Sequence, residues 1–278
     1  MKKILVVLLV ALLALSTLGF AACGDPAKTI TVCASQLPHA DILENCVADI
    51  LKQQGYTLKV EVIDWTLQNG AVAQGDYDAN YFQHVPYLQT YAGSVKLFAS
   101  CKVHYEPLGI YKGGKYAENA SNPSVAICND ESNALRALQL LYAKGYITSI
   151  PEFNSDKDGF VIGSTLTVGD VTIKLIAEEL LVASMPDYTY ACLPCNTAMT
   201  GNVDQSLKVE QETDPALVVG NANVLAARAD DYANNAEYKT KIDVLTDALL
   251  SKEVADYVAV RWGGAITCDA STQIDLRN

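Results

Sequence analysis

The chain has 278 residues, with 20 basic and 32 acidic side chains and a formal net charge of −12. Acidity of that size argues against nucleic-acid binding, which needs a basic face. It suits solubility outside a cell and carries no information about fold.

Met1-Lys2-Lys3 precedes an apolar run from Ile4 to Leu18 and then Gly19-Phe20-Ala21-Ala22-Cys23. A basic start, a short apolar stretch and small residues make a secretory signal. The run falls short of the roughly 20 residues of a membrane span. A cysteine directly after Ala21-Ala22 reads as a lipobox, although Phe20 stands where leucine is commoner. Residues 1–22 are therefore expected to be a lipoprotein signal peptide, with Cys23 the lipidated first residue of the mature chain and 23–28 a short tether. Each buried lipid methylene contributes about 0.8 kcal/mol, so a multiply acylated cysteine stays on the membrane. Without Lys2 and Lys3 the mature chain carries 18 basic and 32 acidic side chains, or −14.

Thr29–Cys33 reads as a strand. An amphipathic helix follows Pro38, with Ile42, Leu43, Cys46, Val47, Ile50 and Leu51 on one face and Gly55 at its end. Leu58–Ile63 is the next strand, and a short helix runs from Asp64-Trp65 to Gly75. Tyr77, Ala79 and Tyr81 alternate with Asp78 and Asn80 as a half-buried strand would. Pro86 opens a helix, which leaves Phe82, Gln83 and His84 on the intervening loop. This β-α-β-α-β order implies a parallel sheet, whose ligands sit beyond the carboxyl ends of the strands. Trp65, Phe82 and His84 all fall just after strand ends, where one site can see all three. The competing reading makes Phe82 and Tyr87 core residues and His84 a satisfied loop histidine.

Val95–Tyr111 holds two strand-like pieces joined near Cys101-Lys102, and residues 105–110 read as a crossover into a second lobe, with Pro107 interrupting the ladder. Val125–Cys128 is a strand, Asn129-Asp130 a cap, and Glu131–Lys144 a helix ended by Gly145, with Leu135, Leu138, Leu141 and Tyr142 as its core face. Arg136 lies one position round from Leu135, at the edge of that face, and is expected to hold its fork free in an open cleft. A planar guanidinium suits a carboxylate held by two parallel bonds, whereas a lone helical arginine is ordinarily a surface residue. Phe160-Val-Ile, Val171–Ala177 and Tyr188–Leu193 are further strands. Asn221–Ala229 is a strand that returns to the first lobe, and two helices and a docking tail follow it. The expected layout is lobe 1 over 29–107 plus 223–278 and lobe 2 over 108–222.

The run Asp76-Tyr77-Asp78-Ala79-Asn80-Tyr81-Phe82-Gln83-His84-Val85-Pro86-Tyr87-Leu88 resembles the signature of the methionine-binding lipoproteins of bacterial ABC importers. Pro38-His39-Ala40-Asp41-Ile42-Leu43-Glu44 is similar to a second family motif. Asn129, Asp130, Asn133 and Arg136 match a third. The resemblance extends to Gly263-Gly264-Ala265, apart from a poorly matching stretch between about Ile150 and Ser184. It implies an α/β, two-lobe type II periplasmic-binding-protein fold, each lobe a mixed, mostly parallel sheet flanked by helices. It also implies capture of methionine or a close relative and delivery to an ABC permease and its ATPase from the outer face of the membrane. No catalytic residue, cofactor or metal is implied. Trp65, Phe82 and Tyr87 would wall the apolar side chain, Arg136 would hold the carboxylate, and Asn133, Asn196 and His84 would add polar contacts. Many relatives place the head-group asparagine two positions before Asn196, where this chain has Pro194.

Three other classes each have their own residue requirements. A metal-binding importer subunit needs converging histidines and carboxylates; His39, His84 and His104 are the only histidines, and His104 sits in a separate strand. A hydrolase needs a nucleophile motif, and neither Gly-x-Ser-x-Gly nor His-Glu-x-x-His occurs. A thiol oxidoreductase would rest on Cys192-Leu193-Pro194-Cys195, a C-x-x-C between a strand and a helix. That pair reads equally as a structural disulfide or as two buried thiols. Seven cysteines follow Cys23, an odd number for complete pairing.

Overall fold

The first two β-branched runs become parallel strands, β1 (Thr29–Ala34) and β2 (Thr57–Val62), paired Thr29 to Thr57 through Ala34 to Val62. The computed structural model describes residues 25–151 and 163–277. The expected signal peptide, Cys23 and the expected strand at Phe160 lie outside the described residues. Between β1 and β2 the chain passes two π-type turns, Gln36–Ala40 and Leu43–Val47, into α1 (Ala48–Gln53). Ile42, Leu43, Val47 and Leu51 are buried there as their spacing requires, while Cys46 and Ile50 are only partly so.

Helix α2 (Trp65–Gln74) starts where Asp64 accepts the Thr66 N–H at 2.8 Å and stops at Gly75, whose φ of 86° closes the helix. Strand β3 (Ala79–His84) then pairs parallel to β1, and α3 (Val85–Gln89) follows with Pro86 in its first turn. Strand β3 thus runs through Phe82, Gln83 and His84, where the sequence reading placed a loop. All six of its residues are buried, because the strand is central and covered on both faces. Its polar residues carry no solvent face. Asn80 and Gln83 instead form an amide network with Asn69 of α2, at 2.6–2.9 Å. An alternating pattern was therefore read as half exposed when it is two-sided burial with internal hydrogen bonds.

Strand β4 (Leu97–His104) is one continuous strand, not two pieces. Its pairing with the later strand Asn223–Arg228 shifts register twice, and these irregularities bend the strand without dividing it. The chain then enters a second sheet. In order come β5 (Gly109–Lys112), β6 (Ser124–Cys128), α4 (Glu131–Ala143), β7 (Thr165–Val168), β8 (Val171–Ile176), α5 (Glu178–Ser184), β9 (Tyr190–Leu193), α6 (Cys195–Thr200) and β10 (Lys208–Gln211). After α7 (Pro215–Gly220), β11 (Asn223–Arg228) inserts antiparallel between β3 and β4. Helices α8 (Ala229–Asn234), α9 (Ala236–Leu249) and α10 (Lys252–Trp262) follow, and β12 (Ile274–Asp275) pairs with β4. The two six-stranded sheets run β2-β1-β3-β11-β4-β12 and β7-β8-β6-β9-β5-β10.

Each sheet has its own core. Ile30, Val32, Tyr81, Leu225, Ile242 and Val258 belong to the first, and Ile110, Val125, Ile127, Leu138, Leu141 and Ile173 to the second. The buried face of α4 is Ala134, Ala137, Leu138 and Leu141. Leu135 is half-buried and Tyr142 is exposed, so the expected core face is rotated by about one residue. That rotation takes Arg136 off the edge and into the interior. The two mixed sheets flanked by helices match the expected α/β, two-lobe class. No helix among the described residues is long and apolar enough to cross a membrane.

Candidate functional site

The carboxyl ends of β1, β2 and β3 meet the N-termini of α4 and α6 around a cavity whose empty volume, its opening to solvent included, is about 490 Å³. Its lining includes Ser35, Trp65, Phe82, Gln83, His84, Tyr87, Glu106, Asn133, Arg136, Glu178, Pro194, Asn196 and Asn223. All seven residues expected from the sequence (Trp65, Phe82, His84, Tyr87, Asn133, Arg136 and Asn196) therefore lie on one cavity. Both sheets contribute to its wall.

One wall is aromatic. The Tyr87 ring stands edge-on to Trp65 with centroids 5.3 Å apart, and to Phe82 at 5.7 Å. Such contacts hold each ring rigid and leave apolar surface for a side chain to cover. His84 ends β3 and caps α3. Its Nδ1 accepts the Tyr87 N–H at 3.2 Å, which leaves the Nε2 proton to donate to Asn133 Oδ1 at 3.2 Å. Burial lowers the His84 pKa to about 4, with the Arg136 charge adding to the effect, so the ring is neutral near pH 7. Asn133 is fixed from its other end by Asp130, the cap of α4, at 3.0 Å.

Arg136 differs from its expected state. Its Nε donates to Glu212 Oε1 at 2.6 Å, and its Nη2 donates to Glu212 Oε2 at 2.5 Å and to the Glu106 carbonyl at 2.6 Å. Arg136 is 6 % exposed and the Glu212 side chain is fully buried. Glu212 Oε2 also accepts from Tyr105 Oη at 2.7 Å and from the Leu108 N–H at 2.8 Å. The guanidinium is thus a buried partner in a satisfied ion pair, not a free fork in an open cleft. The pair joins α4 to both segments that run between the sheets. Glu212 lies 76 residues away in sequence, and nothing local to Arg136 announces it.

Glu106, just after β4, is a lining residue that the sequence reading did not single out. Its Oε1 faces His104 Nε2 at 2.8 Å and His39 Nε2 at 3.3 Å. Tyr81 Oη is hydrogen-bonded to His104 Nδ1, and Asn223 Oδ1 lies 3.1 Å from His39 Nε2. The separate strand of His104 thus does not separate it from His39, because β4 and the turn after β1 converge behind the cavity. Burial lowers the pKa of His39 to about 4 and of His104 to about 3, and both rings are neutral near pH 7. Burial raises the Glu106 carboxyl above its ordinary range, opposed by the Arg136 charge and the nearby Asn196 backbone N–H. Oε2 of Glu106 and Nδ1 of His39 are buried with no hydrogen-bond partner. Glu178 accepts from Thr197 Oγ1 at 2.5 Å and is raised to about 7 by burial.

The seven described cysteines are all free thiols. Burial pushes Cys195 up to about 12 and Cys192 further, so both stay protonated. The C-x-x-C is two buried thiols: it is not a disulfide, and it lacks the thiolate a redox pair needs.

Residues 30–267 match the family model described as NlpA lipoprotein. The chain is 30 % identical to a methionine-binding lipoprotein of Bacillus subtilis (strain 168), over 88 % of this chain and 92 % of that one. It is 31 % identical to a D-methionine-binding lipoprotein of Yersinia pestis, over 79 % and 82 % of the two chains. Among solved structures, a lipoprotein from Ruminococcus gnavus superposes with a TM-score of 0.74 at 32 % identity, covering 87 % of this chain and 99 % of that one. By sequence and by fold, the chain belongs to the NlpA lipoprotein family of substrate-binding proteins.

Proposed function

We propose that this protein is the lipid-anchored substrate-binding subunit of an ABC importer. From the outer face of the membrane it captures methionine or a closely related amino acid in the cavity between its sheets and passes it to a permease driven by an ATPase. The observation that carries this reading is the convergence of Trp65, Phe82, His84, Tyr87, Asn133, Arg136 and Asn196 on one cavity. Trp65, Phe82, Tyr87 and Pro194 face polar and charged side chains across it, a make-up that suits a small ligand with an apolar tail and a polar head. The aromatic wall would take an unbranched apolar side chain. Asn133, Asn196 and the face of Arg136 on the cavity would take the carboxylate end. The names of the Bacillus and Yersinia relatives point to the same ligand class.

Contacts from both sheets would make affinity depend on closure, since the closed arrangement alone provides all of them. The His84–Asn133 bond already joins β3 to α4 across the cavity. The role is binding without catalysis, and Cys23 would supply the anchor. Mass spectrometry of small molecules released by denaturing the purified soluble domain tests the reading. Methionine or a close analogue at near-stoichiometric yield is expected. A tightly held ligand of another class, or calorimetry with no heat on adding either stereoisomer of methionine, would overturn it.

A further inference from the structure

Of the three carboxylates at or beside the cavity, Glu178 is bonded by Thr197 Oγ1, and the other two are in opposite states. Glu212 has both oxygens engaged, by Arg136, Tyr105 and the Leu108 amide. Glu106 has one oxygen facing two neutral imidazoles and the other, Oε2, without a partner, although the side chain is only 5 % exposed. An unpartnered buried carboxylate oxygen is costly, because it has left water and received nothing in return. His104 supplies Glu106 with a hydrogen bond but no charge, and the His39 N–H is directed to Asn223, with Nε2 3.3 Å from Glu106 Oε1. Arg136, the one fixed cation among the described lining residues, is neutralised by Glu212 and meets Glu106 only at its backbone carbonyl. The Glu106 carboxyl therefore has an unmet hydrogen-bond position, and the one cation among the described lining residues is already matched.

We infer that Glu106 Oε2 is the docking point for the ligand's ammonium group, and that this site reads the ammonium more strictly than the carboxylate. The inference rests on the proposed amino-acid reading and names which end of the zwitterion decides affinity. A cationic group arriving at Oε2 gains a charge-assisted hydrogen bond and removes the cost of the orphan oxygen. A carboxylate arriving at Arg136 meets a guanidinium whose Nε and Nη2 are already bonded, so its gain is smaller. His104 then acts as a positioning residue that holds the Glu106 carboxylate in place from behind.

Two truncated methionines separate the ends without any change in the protein: 3-(methylthio)propylamine lacks the carboxylate, and 4-(methylthio)butanoate lacks the ammonium. Calorimetry on the wild-type soluble domain should find the amine within about tenfold of L-methionine and the acid weaker by at least about a hundredfold. Glu106→Gln keeps an oxygen for the His104 donor and removes the carboxylate. It should weaken L-methionine and the amine by about thirtyfold or more and leave the acid unchanged. If the wild type binds the acid as tightly as the amine, or if folded Glu106→Gln binds L-methionine like the wild type, the inference is overturned while the methionine reading stands. If the wild type binds none of the three, the methionine reading falls and takes this inference with it.

Discussion

The Arg136–Glu212 pair and the Glu106–His39–His104 cluster both lie against the cavity and contain the same kinds of group. They differ in saturation. Each oxygen of Glu212 has a partner, and the pair spans α4 and the two connecting segments. In the histidine cluster one carboxylate oxygen and one imidazole nitrogen have none. A saturated buried ion pair is part of the scaffold, and its removal is felt as lost stability. A cluster with an open position has binding capacity left over, and its loss is felt in affinity. The teaching is that charge near a cavity does not identify a ligand contact; an unmet hydrogen-bond requirement does.

The largest expected effect tests the scaffold half of that contrast. Arg136→Ala leaves Glu212 buried and uncompensated, and should cost about 3–5 kcal/mol of folding stability. This replaces the small cost that a cleft-facing arginine would imply. Urea denaturation of Arg136→Ala, and of a double variant with Glu212→Leu that removes both charges, checks it. The double variant should recover much of the loss. A single variant as stable as the wild type would mean the pair is not part of the scaffold.

The histidine cluster predicts acid sensitivity. His39, His84 and His104 have pKa values lowered by burial to about 4, 4 and 3, against about 6.5 in the unfolded chain. Groups lowered in this way contribute stability that is full above the unfolded pKa and is lost as pH falls toward the folded value. The loss is up to roughly 2 kcal/mol per ring by pH 5. Glu178, raised to about 7, works in the opposite direction and is less unfavourable as pH falls from 7 toward the ordinary carboxylate range. Glu106, also raised, does the same. With three rings against two acids, the unfolding temperature should fall between pH 7 and pH 5. Glu178→Gln should raise it near pH 8 and change it little near pH 5. A flat profile across this range would show that the rings are not held neutral.

The smallest effect is expected at the thiols, which lie apart from this contrast and serve as its control. Cys192→Ser with Cys195→Ser should keep ligand affinity within about tenfold, or roughly 1.4 kcal/mol. Loss of binding in a folded double variant would give the pair a role that two protonated, buried thiols do not explain.

Local signals carried much of this molecule. The parallel β-α-β-α-β opening, the Asp130 cap of α4 and the glycine stops at Gly55, Gly75 and Gly145 follow from spacing and capping chemistry. The aromatic wall was equally legible, because Trp65, Phe82 and Tyr87 sit at successive strand ends of one sheet. The sequence also marked Arg136, but only tertiary structure decided its state. A helix turned by one residue buries it, and a carboxylate 76 residues away engages its fork. Glu106 carried no local signal. It matters because β4 and the turn after β1 bring His39 and His104 onto one of its oxygens and leave the other without a partner. Periodicity and caps are short-range and are written within a few residues of where they act. Saturation of a buried polar group depends on every element packed around it, and only the folded chain fixes that.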